Sequence, residues 1–182
     1  TTDQLTKLTT DQVQAIQTLD LQQLTTAQLV TLTSVQVPAL TTAQVVALTT
    51  AQAEALTTAQ VNKLTTAQVA AIETADLVKM TTAQIVALTT DQVPALTVGQ
   101  VENLTTAQIA AIETADLVKM TTAQIAGLTS VQISALTTDQ LIKLTTDQIQ
   151  AIQTLDLQQM TTGQIAALID GQVPVLTTAQ IV

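Results

Sequence analysis

The sequence has 182 residues, a formal net charge of −9 and 47% apolar residues, and it contains no His, Cys, Trp, Tyr, Phe or Arg. This composition excludes disulfides, catalysis by imidazole or thiolate, and metal sites built from His or Cys. The negative charge disfavours binding to nucleic acid or anionic lipid, and no apolar run approaches the roughly 18 residues that a membrane-spanning helix needs.

An eight-residue unit recurs along the chain, and the stretch from Leu40 to Leu48, LTTAQVVAL, shows it in its commonest form. We number each octad from its leading apolar residue as position 0, so that Thr41 is position 1, Gln44 is position 4 and Val45 is position 5. Thr41 and Gln44 have the Thr-x-x-Gln spacing of a capping box, and the residues at positions 0 and 5 fall at the two sites of a hydrophobic staple. Each octad therefore predicts one helix start.

The octad register never slips. Position 0 holds Leu, Ile or Met in all 22 instances from Leu8 to Leu176, and position 5 is apolar from Leu5 to Ile181. These residues are the predicted core. The pattern predicts a single octad-repeat array over residues 1–182, with about 22 full octads, and we expect it to be a segment of a longer array because Thr1 begins in mid-pattern without a signal-peptide core.

Three kinds of structure could have an eight-residue period. A continuous α-helix turns about 100° per residue, so its apolar residues would drift by roughly 80° per octad and never form a stripe. A β-solenoid is the alternative, but positions 5 and 8 would lie on opposite faces of a strand. On a short helix they are i and i+3 neighbours on one face. We therefore predict an all-α solenoid with one helix of about five or six residues per octad, bent at each Leu-Thr junction.

Isolated helices of this length are marginal in water, so each octad needs burial against its neighbours. The expected core is a thin row of Leu and Val or Ile that runs through stacked octads, with stability that grows with octad number. The expected partners are neighbouring repeats of the same array, with end-to-end self-association because the two ends lack polar capping units.

Four octads depart from the common form: they carry Gln or Glu at position 1 and Asp at position 4. Either they continue the preceding helix, or their Thr at position 2 caps a helix one residue late. They divide the array into cassettes that end at residues 24, 80, 120 and 160. The position 2 threonines are Thr18, Thr74, Thr114 and Thr154, and the position 4 acids are Asp20, Asp76, Asp116 and Asp156.

Proline occupies position 6 of three octads, at Pro38, Pro94 and Pro174, and Ser134 takes this place once. Because proline removes a helical hydrogen bond and disfavours the helical conformation of the residue before it, we expect these octads to shorten to a single turn of 3₁₀ type.

Little in the sequence indicates chemistry. The aspartates of the modified octads could form a sparse Ca²⁺ ladder, but no calcium-binding loop motif accompanies them, and we expect solvated cap residues. Met80, Met120 and Met160 stand where Leu usually stands and are expected to fill the core. We expect no catalytic residue, no metal ligand, no cofactor and no enzymatic activity.

Two resemblances follow from the octad. LTTAQVVAL at 40–48 resembles the opening of a TAL-effector repeat, but the longer repeat and its base-reading loop are missing, so DNA reading is not implied. The whole chain resembles the LTTAQ-type octad tracts of very large bacterial surface or secreted adhesin-like proteins. This resemblance implies an extracellular or cell-surface location and a structural role, and it supplies no functional residues.

The expected function is that of a non-enzymatic segment that serves as spacer, stalk or adhesive surface of a bacterial extracellular protein. One alternative is a binding module that presents a regular Thr and Gln surface to a repetitive glycan, ice or protein target. Another is a designed or consensus-like repeat. A row of exposed hydroxyls would favour the binding module, whereas hydroxyls turned to the backbone would oppose it.

Overall fold

The computed structural model describes residues 1–181, and the side chains of residues 1–180. Val182 and the side chain of Ile181, a predicted core residue, lie outside the described part. Helices are the regular elements throughout residues 1–181, where no strand occurs, so the all-α prediction is confirmed and the β-solenoid is excluded. Contacts divide the chain into two units, Thr1–Leu96 and Thr97–Val182. Each unit is a solenoid of short helices, and the single array over 1–182 stays a prediction.

The helices of the first unit are α1 (Thr2–Leu5), α2 (Thr10–Gln14), α3 (Thr18–Gln23), α4 (Thr26–Leu29), α5 (Thr42–Val46), α6 (Thr50–Ala55), α7 (Thr58–Lys63), α8 (Thr66–Ala71), α9 (Thr74–Leu77) and α10 (Thr82–Val86), with 3₁₀-helices at Val37–Ala39 and Val93–Ala95. Those of the second unit are α11 (Val98–Asn103), α12 (Thr106–Ala111), α13 (Thr114–Leu117), α14 (Thr122–Ala126), α15 (Ser130–Ala135), α16 (Thr138–Lys143), α17 (Thr146–Ala151), α18 (Thr154–Leu157), α19 (Thr162–Ala167) and α20 (Thr178–Ile181), with a 3₁₀-helix at Val173–Val175.

The common octad begins its helix with the predicted capping box. In α5, the backbone N–H of Gln44 donates to Thr41 Oγ1 over 3.1 Å, and the backbone N–H of Thr41 donates to Gln44 Oε1 over 2.8 Å. Thr41 itself is extended, with φ −72° and ψ 157°. Two backbone donors at the helix start, which would otherwise lack partners, are thus satisfied by the octad's own Thr and Gln.

The chain turns at the Leu-Thr junction, as predicted. Leu56 ends α6 with φ −52° and ψ 133°, and Thr57, which caps α7, has φ −70° and ψ 155°. Two consecutive extended residues therefore redirect the chain. No residue of the part described has a positive φ, so these turns need no glycine, and four glycines suffice in the sequence.

The predicted core positions are buried through most of the chain. Position 5 is buried in every octad from Val13 to Leu157, and position 0 in every octad from Leu32 to Met160. Toward the two ends the prediction of a buried core is wrong. Leu8 and Ile16 are only half-buried, and Ile165 and Val173 are 46% and 49% exposed. Core side chains are covered by the turns before and after their own, and these residues lie in the first or last turn described.

Within each unit, helices pack most closely against helices three octads away in the sequence. In the first unit α5 packs on α8 and α6 on α9, and in the second unit α12 packs on α15 and α14 on α17. Neighbours in space are therefore not neighbours in sequence. Stacking between successive turns supplies the burial that a four- to six-residue helix cannot find alone.

The proline octads are shortened as predicted. Val37–Ala39, Val93–Ala95 and Val173–Val175 are 3₁₀-helices with proline in their first turn. The octad with Ser134 in this place forms the six-residue α15 instead, and the Ser134 hydroxyl donates to the carbonyls of Ser130 (2.9 Å) and Gln159 (2.8 Å). The difference follows from proline's missing N–H and restricted backbone.

Both alternatives for the modified octads were wrong. Their helices α3, α9, α13 and α18 are separate, because the preceding Ile leaves the helical region, as Ile72 does with ψ 128°. The threonines do not cap late either: Thr74 is the first helical residue, and Glu73 is the N-cap without a side-chain hydrogen bond. The helix starts at its usual place because Glu73 keeps the extended conformation that the junction requires. Thr18, Thr114 and Thr154 are likewise first helical residues rather than caps.

Candidate functional site

The glutamine at position 4 links successive turns of the solenoid. Gln44 is 1% exposed, and while its Oε1 accepts from the backbone of Thr41, its Nε2 donates to the backbone carbonyls of Val13 and Ile16, each over 2.8 Å. These acceptors precede it by 31 and 28 residues. One carboxamide therefore caps the start of its own helix and the end of a helix in the previous turn.

This contact recurs at nearly constant separation in both units. The acceptors are the residues at positions 5 and 0 around the end of a helix, so one turn corresponds to between three and four octads. The pairs in the first unit are Gln36 with Leu5 and Leu8, Gln52 with Leu21 and Leu24, Gln60 with Leu29 and Leu32, Gln68 with Val37 and Leu40, Gln84 with Ala53 and Leu56, and Gln92 with Val61 and Leu64. Those in the second are Gln132 with Val101 and Leu104, Gln140 with Ile109 and Ile112, Gln148 with Leu117 and Met120, Gln164 with Ile133 and Leu136, and Gln172 with Leu141 and Leu144.

The glutamine contacts stabilise the fold because the helices are short. The last four carbonyls of an α-helix lack intrahelical donors, and in a helix of four to six residues they are most of the carbonyls. A buried acceptor without a partner costs about 1 to 3 kcal/mol. The glutamine amide supplies a donor to the carbonyl at position 0, such as that of Ile16, and a second donor to the carbonyl at position 5, such as that of Val13, which also accepts from Ile16 N–H over 3.2 Å. It thereby holds two turns at a defined distance.

Sequence reasoning assigned glutamine only to the capping box and missed the contact between turns. A signal was present, because position 4 holds Gln or Asp but never Glu. Glu completes a capping box as well as Gln does, but it has no donor to offer a carbonyl. The use of the amide at position 4 in every octad other than the four modified ones therefore indicates a second partner.

The modified octads interrupt this series of contacts. Asp76 is 3% exposed, and its carboxylate has no proton to donate to the carbonyls of the previous turn. By the same register a glutamine here would reach the carbonyls of Val45 and Leu48. A carboxylate offers those carbonyls no proton, so the contact made by glutamine at other turns is missing here.

Asp116 occupies the same place in the next cassette. Burial, which penalises the charged form, raises the pKa of the Asp116 carboxyl, and the nearby negative charge of Glu113 raises it further. Of the four aspartates only Asp20 is exposed, so the expectation of solvated cap residues was wrong for Asp76, Asp116 and Asp156.

An open groove of about 440 Å³ lies in the second unit beside the fourth modified octad. Ser130 Oγ donates to Asp156 Oδ1 over 2.5 Å, and Glu102 and Gln153 line the same groove. A serine activated for nucleophilic attack needs a base that takes its proton, and this chain has no histidine for that role. The bond from Ser130 gives the Asp156 carboxylate a hydrogen-bond donor.

The threonine hydroxyls fall into two classes. At position 1 the hydroxyl faces the backbone, as Thr49 Oγ1 does when it accepts from the N–H of Gln52 over 3.3 Å. At position 2 the threonines of α5 to α8 are exposed, and their hydroxyls have no partner among the described residues. These are Thr42, Thr50, Thr58 and Thr66.

Within residues 1–181 no group of three or more acidic, His or Cys residues is placed to hold a metal ion. No described helix is long and apolar enough to cross a membrane. The methionines are core residues as predicted, since Met80 and Met120 are 3% exposed and Met160 is 8% exposed.

Comparison with known proteins agrees with the repeat. The profile of the ALTTAQ repeat matches the chain five times, at residues 13–50, 39–66, 69–106, 109–146 and 149–182. No curated protein matches the chain significantly. The matches cover most of the sequence, so the resemblance to LTTAQ-type repeat tracts is confirmed, and the chain belongs to the ALTTAQ repeat family.

Proposed function

We propose that this repeat segment is a non-enzymatic structural element, a spacer or stalk within a longer octad array of a bacterial extracellular protein. The observation that carries the proposal is the use of the buried polar side chain of the octad. The carboxamide of Gln68, 2% exposed, accepts from Thr65 N–H and donates both of its hydrogens to the carbonyls of Val37 and Leu40, so all of its donors are used inside the array. The most regular polar feature of the chain therefore serves assembly of the array.

The separate structural roles of the residues in the octad support the same proposal. Thr and Gln start the helix, the apolar pair fills the core, and the glutamine amide joins the turns. Every octad of this kind adds the same contacts, so an array can be lengthened in octad-sized steps without redesign. Length is the property that a spacer needs.

A series of chains that differ by whole octads tests the structural role. The first glutamine contact between turns needs an acceptor 28 to 31 residues earlier, so a three-octad peptide is expected to be unfolded. Longer chains are expected to gain helical circular dichroism and free energy of unfolding with each octad. A three-octad peptide as stable per residue as the full chain would contradict the proposal.

The location is tested separately in bacterial cells that express the parent protein. An antibody raised against the folded segment is expected to label intact cells as strongly as permeabilised cells. Labelling that appears only after permeabilisation would place the segment inside the cell and remove the extracellular part of the proposal.

The exposed threonines at position 2 favour a second candidate, the binding module. Their hydroxyls recur once per octad and are open to a repetitive target. The chain with Thr42, Thr50 and Thr58 replaced by Val is compared with the unchanged chain on a glycan array and in an ice-growth assay. Binding that disappears in the variant supports this candidate, and two inert chains with matching melting temperatures oppose it.

A further inference from the structure

Two modified octads, one in each unit, are joined differently to the turn before them. They are residues 73–80, which form α9, and residues 153–160, which form α18. Both helices have four residues and an N-cap without a side-chain hydrogen bond. Both also carry a buried aspartate in place of the glutamine that elsewhere donates to the previous turn. Any difference between them must come from other side chains.

Three side-chain hydrogen bonds join residues 153–160 to the preceding turn. The donors are two serine hydroxyls and one carboxamide, and the partners are 25 to 27 residues apart. We call these three bonds the brace. The pairs are Ser130 Oγ with the Asp156 carboxylate, Ser134 Oγ with the Gln159 carbonyl over 2.8 Å, and Gln153 Nε2 with the Ala126 carbonyl over 2.8 Å.

The first unit has different residues at the three donor positions of the brace. The equivalent residues around α9 are Thr50, Glu54 and Glu73. The carboxylates of Glu54 and Glu73 accept hydrogen bonds but have no proton to donate to a carbonyl. The hydroxyl of Thr50 is exposed and has no partner among the described residues. Residues 73–80 therefore lack both the glutamine link and the brace toward the preceding turn.

We infer that the solenoid opens locally at residues 73–80, and that the brace holds residues 153–160 closed. A local opening costs only the contacts that it breaks, so it occurs where links between turns are fewest. The turns on either side stay folded because each repeat contacts only its neighbours.

This inference rests on the proposed structural role for its use. A stalk with a yielding octad can lengthen under load while the other turns keep their contacts. The cassette boundaries, where the modified octads occur, are then the places at which the presence or absence of a brace sets the compliance of the array.

Limited digestion with trypsin measures the opening. Lys63 and Lys79 are both exposed and both occupy position 7, but Lys63 belongs to a common octad in which Gln60 donates to the carbonyls of Leu29 and Leu32. Cleavage of a transiently open segment follows the population of the open form. The chain is expected to be cut after Lys79 before it is cut after Lys63. Equal rates at the two sites would overturn the inference.

The decisive variant transfers the brace to the first unit. Thr50→Ser, Glu54→Ser and Glu73→Gln together are expected to slow cleavage after Lys79 by roughly fivefold, with cleavage after Lys63 unchanged. The control carries Glu54→Ala and Glu73→Ala, which remove the same two charges without supplying donors, and it should be cut after Lys79 as fast as the unchanged chain. Equal slowing in the control would assign the effect to charge, and equal slowing at Lys63 would assign it to global stability. Either result would overturn the inference.

Removing the brace from the second unit is the converse test. Gln159→Lys supplies a trypsin site at position 7 of the braced octad and keeps the carbonyl that accepts from Ser134. In this background, Ser130→Ala with Ser134→Ala is expected to speed cleavage after residue 159 by roughly fivefold. Thr138→Ala with Thr146→Ala, at exposed threonines of the same unit, is the control and should leave the rate unchanged. Equal rates with and without the serines would overturn the inference, whereas the structural role is tested separately by the growth of stability with octad number.

Discussion

The side-chain amide of Gln44 donates a hydrogen bond of 2.8 Å to the backbone carbonyl of Ile16, 28 residues earlier in the chain. The same side chain accepts from the N–H of Thr41, three residues earlier. The first bond belongs to the stack of turns and the second to the helix start. A single buried residue thus couples local helix formation to assembly of the solenoid.

Replacing Gln44 with Glu separates these two bonds. Glutamate still accepts from Thr41, but it cannot donate to Val13 or Ile16, and it leaves a buried carboxylate against two carbonyls. The free energy of unfolding is expected to fall by about 3 kcal/mol, measured by urea denaturation. Gln12→Glu is the matched control. It makes the same change in the equivalent capping box of Thr9 and Gln12, whose glutamine amide contacts no other turn, and it should leave the free energy of unfolding nearly unchanged. An equal loss in both variants would assign the effect to the capping box.

Restoring glutamine at Asp76 should stabilise the protein. Glutamine there is expected to donate to the carbonyls of Val45 and Leu48 and to add about 1 kcal/mol to the free energy of unfolding. Asp20→Gln is the control, because Asp20 is exposed in the first turn and has no earlier carbonyls to reach. Thermal denaturation compares the two variants. A destabilised Asp76→Gln chain would show that a glutamine at this position does not reach the carbonyls of Val45 and Leu48.

Truncating a core leucine should create a void. Leu88 is 3% exposed, and Leu88→Ala is expected to lower the free energy of unfolding by about 2 to 5 kcal/mol. Leu19, 70% exposed, provides the control, since Leu19→Ala removes the same atoms from a site in water. An unchanged melting temperature in Leu88→Ala would contradict its place in the core.

The buried Asp116 predicts a dependence of stability on pH. Because burial and Glu113 raise the pKa of its carboxyl, the folded chain holds this proton more tightly than the unfolded chain. The stabilisation from Asp116 is therefore complete below the ordinary pKa of aspartate and is lost as the pH rises through the raised value. Melting temperatures of the unchanged chain and of Asp116→Asn, measured across this range, should diverge with pH. A difference that stays constant would show that Asp116 has similar proton affinity in both states.

Much of the local structure follows from the octad alone. Thr41 and Gln44 predicted the helix start, the Leu-Thr junction predicted the turn, and Pro38 predicted a 3₁₀-helix. These features depend on residues within three or four positions of one another. Their energies come from capping and backbone sterics, which a short stretch of sequence contains.

The modified octads show where such reasoning stops. Glu73 lacks the hydroxyl of a capping residue, yet it takes the N-cap position in an extended conformation and α9 begins at its usual place. Packing of Leu77, fully buried, sets this register more strongly than the missing cap disturbs it. Burial of an apolar side chain therefore outweighs the local preference for a capping residue.

The sequence by itself determined the structure of the single octad: where its helix begins, which two side chains it buries and where the chain bends. Only the tertiary structure decided which octads contact each other. It set the separation of 28 to 31 residues between Gln44 and its acceptors, and it showed the loss of that contact at Asp76. The physical reason is that the bend at every junction contributes to the turn of the solenoid. Small backbone angles, summed over several octads, select which carbonyl a glutamine meets, and no single octad encodes that sum.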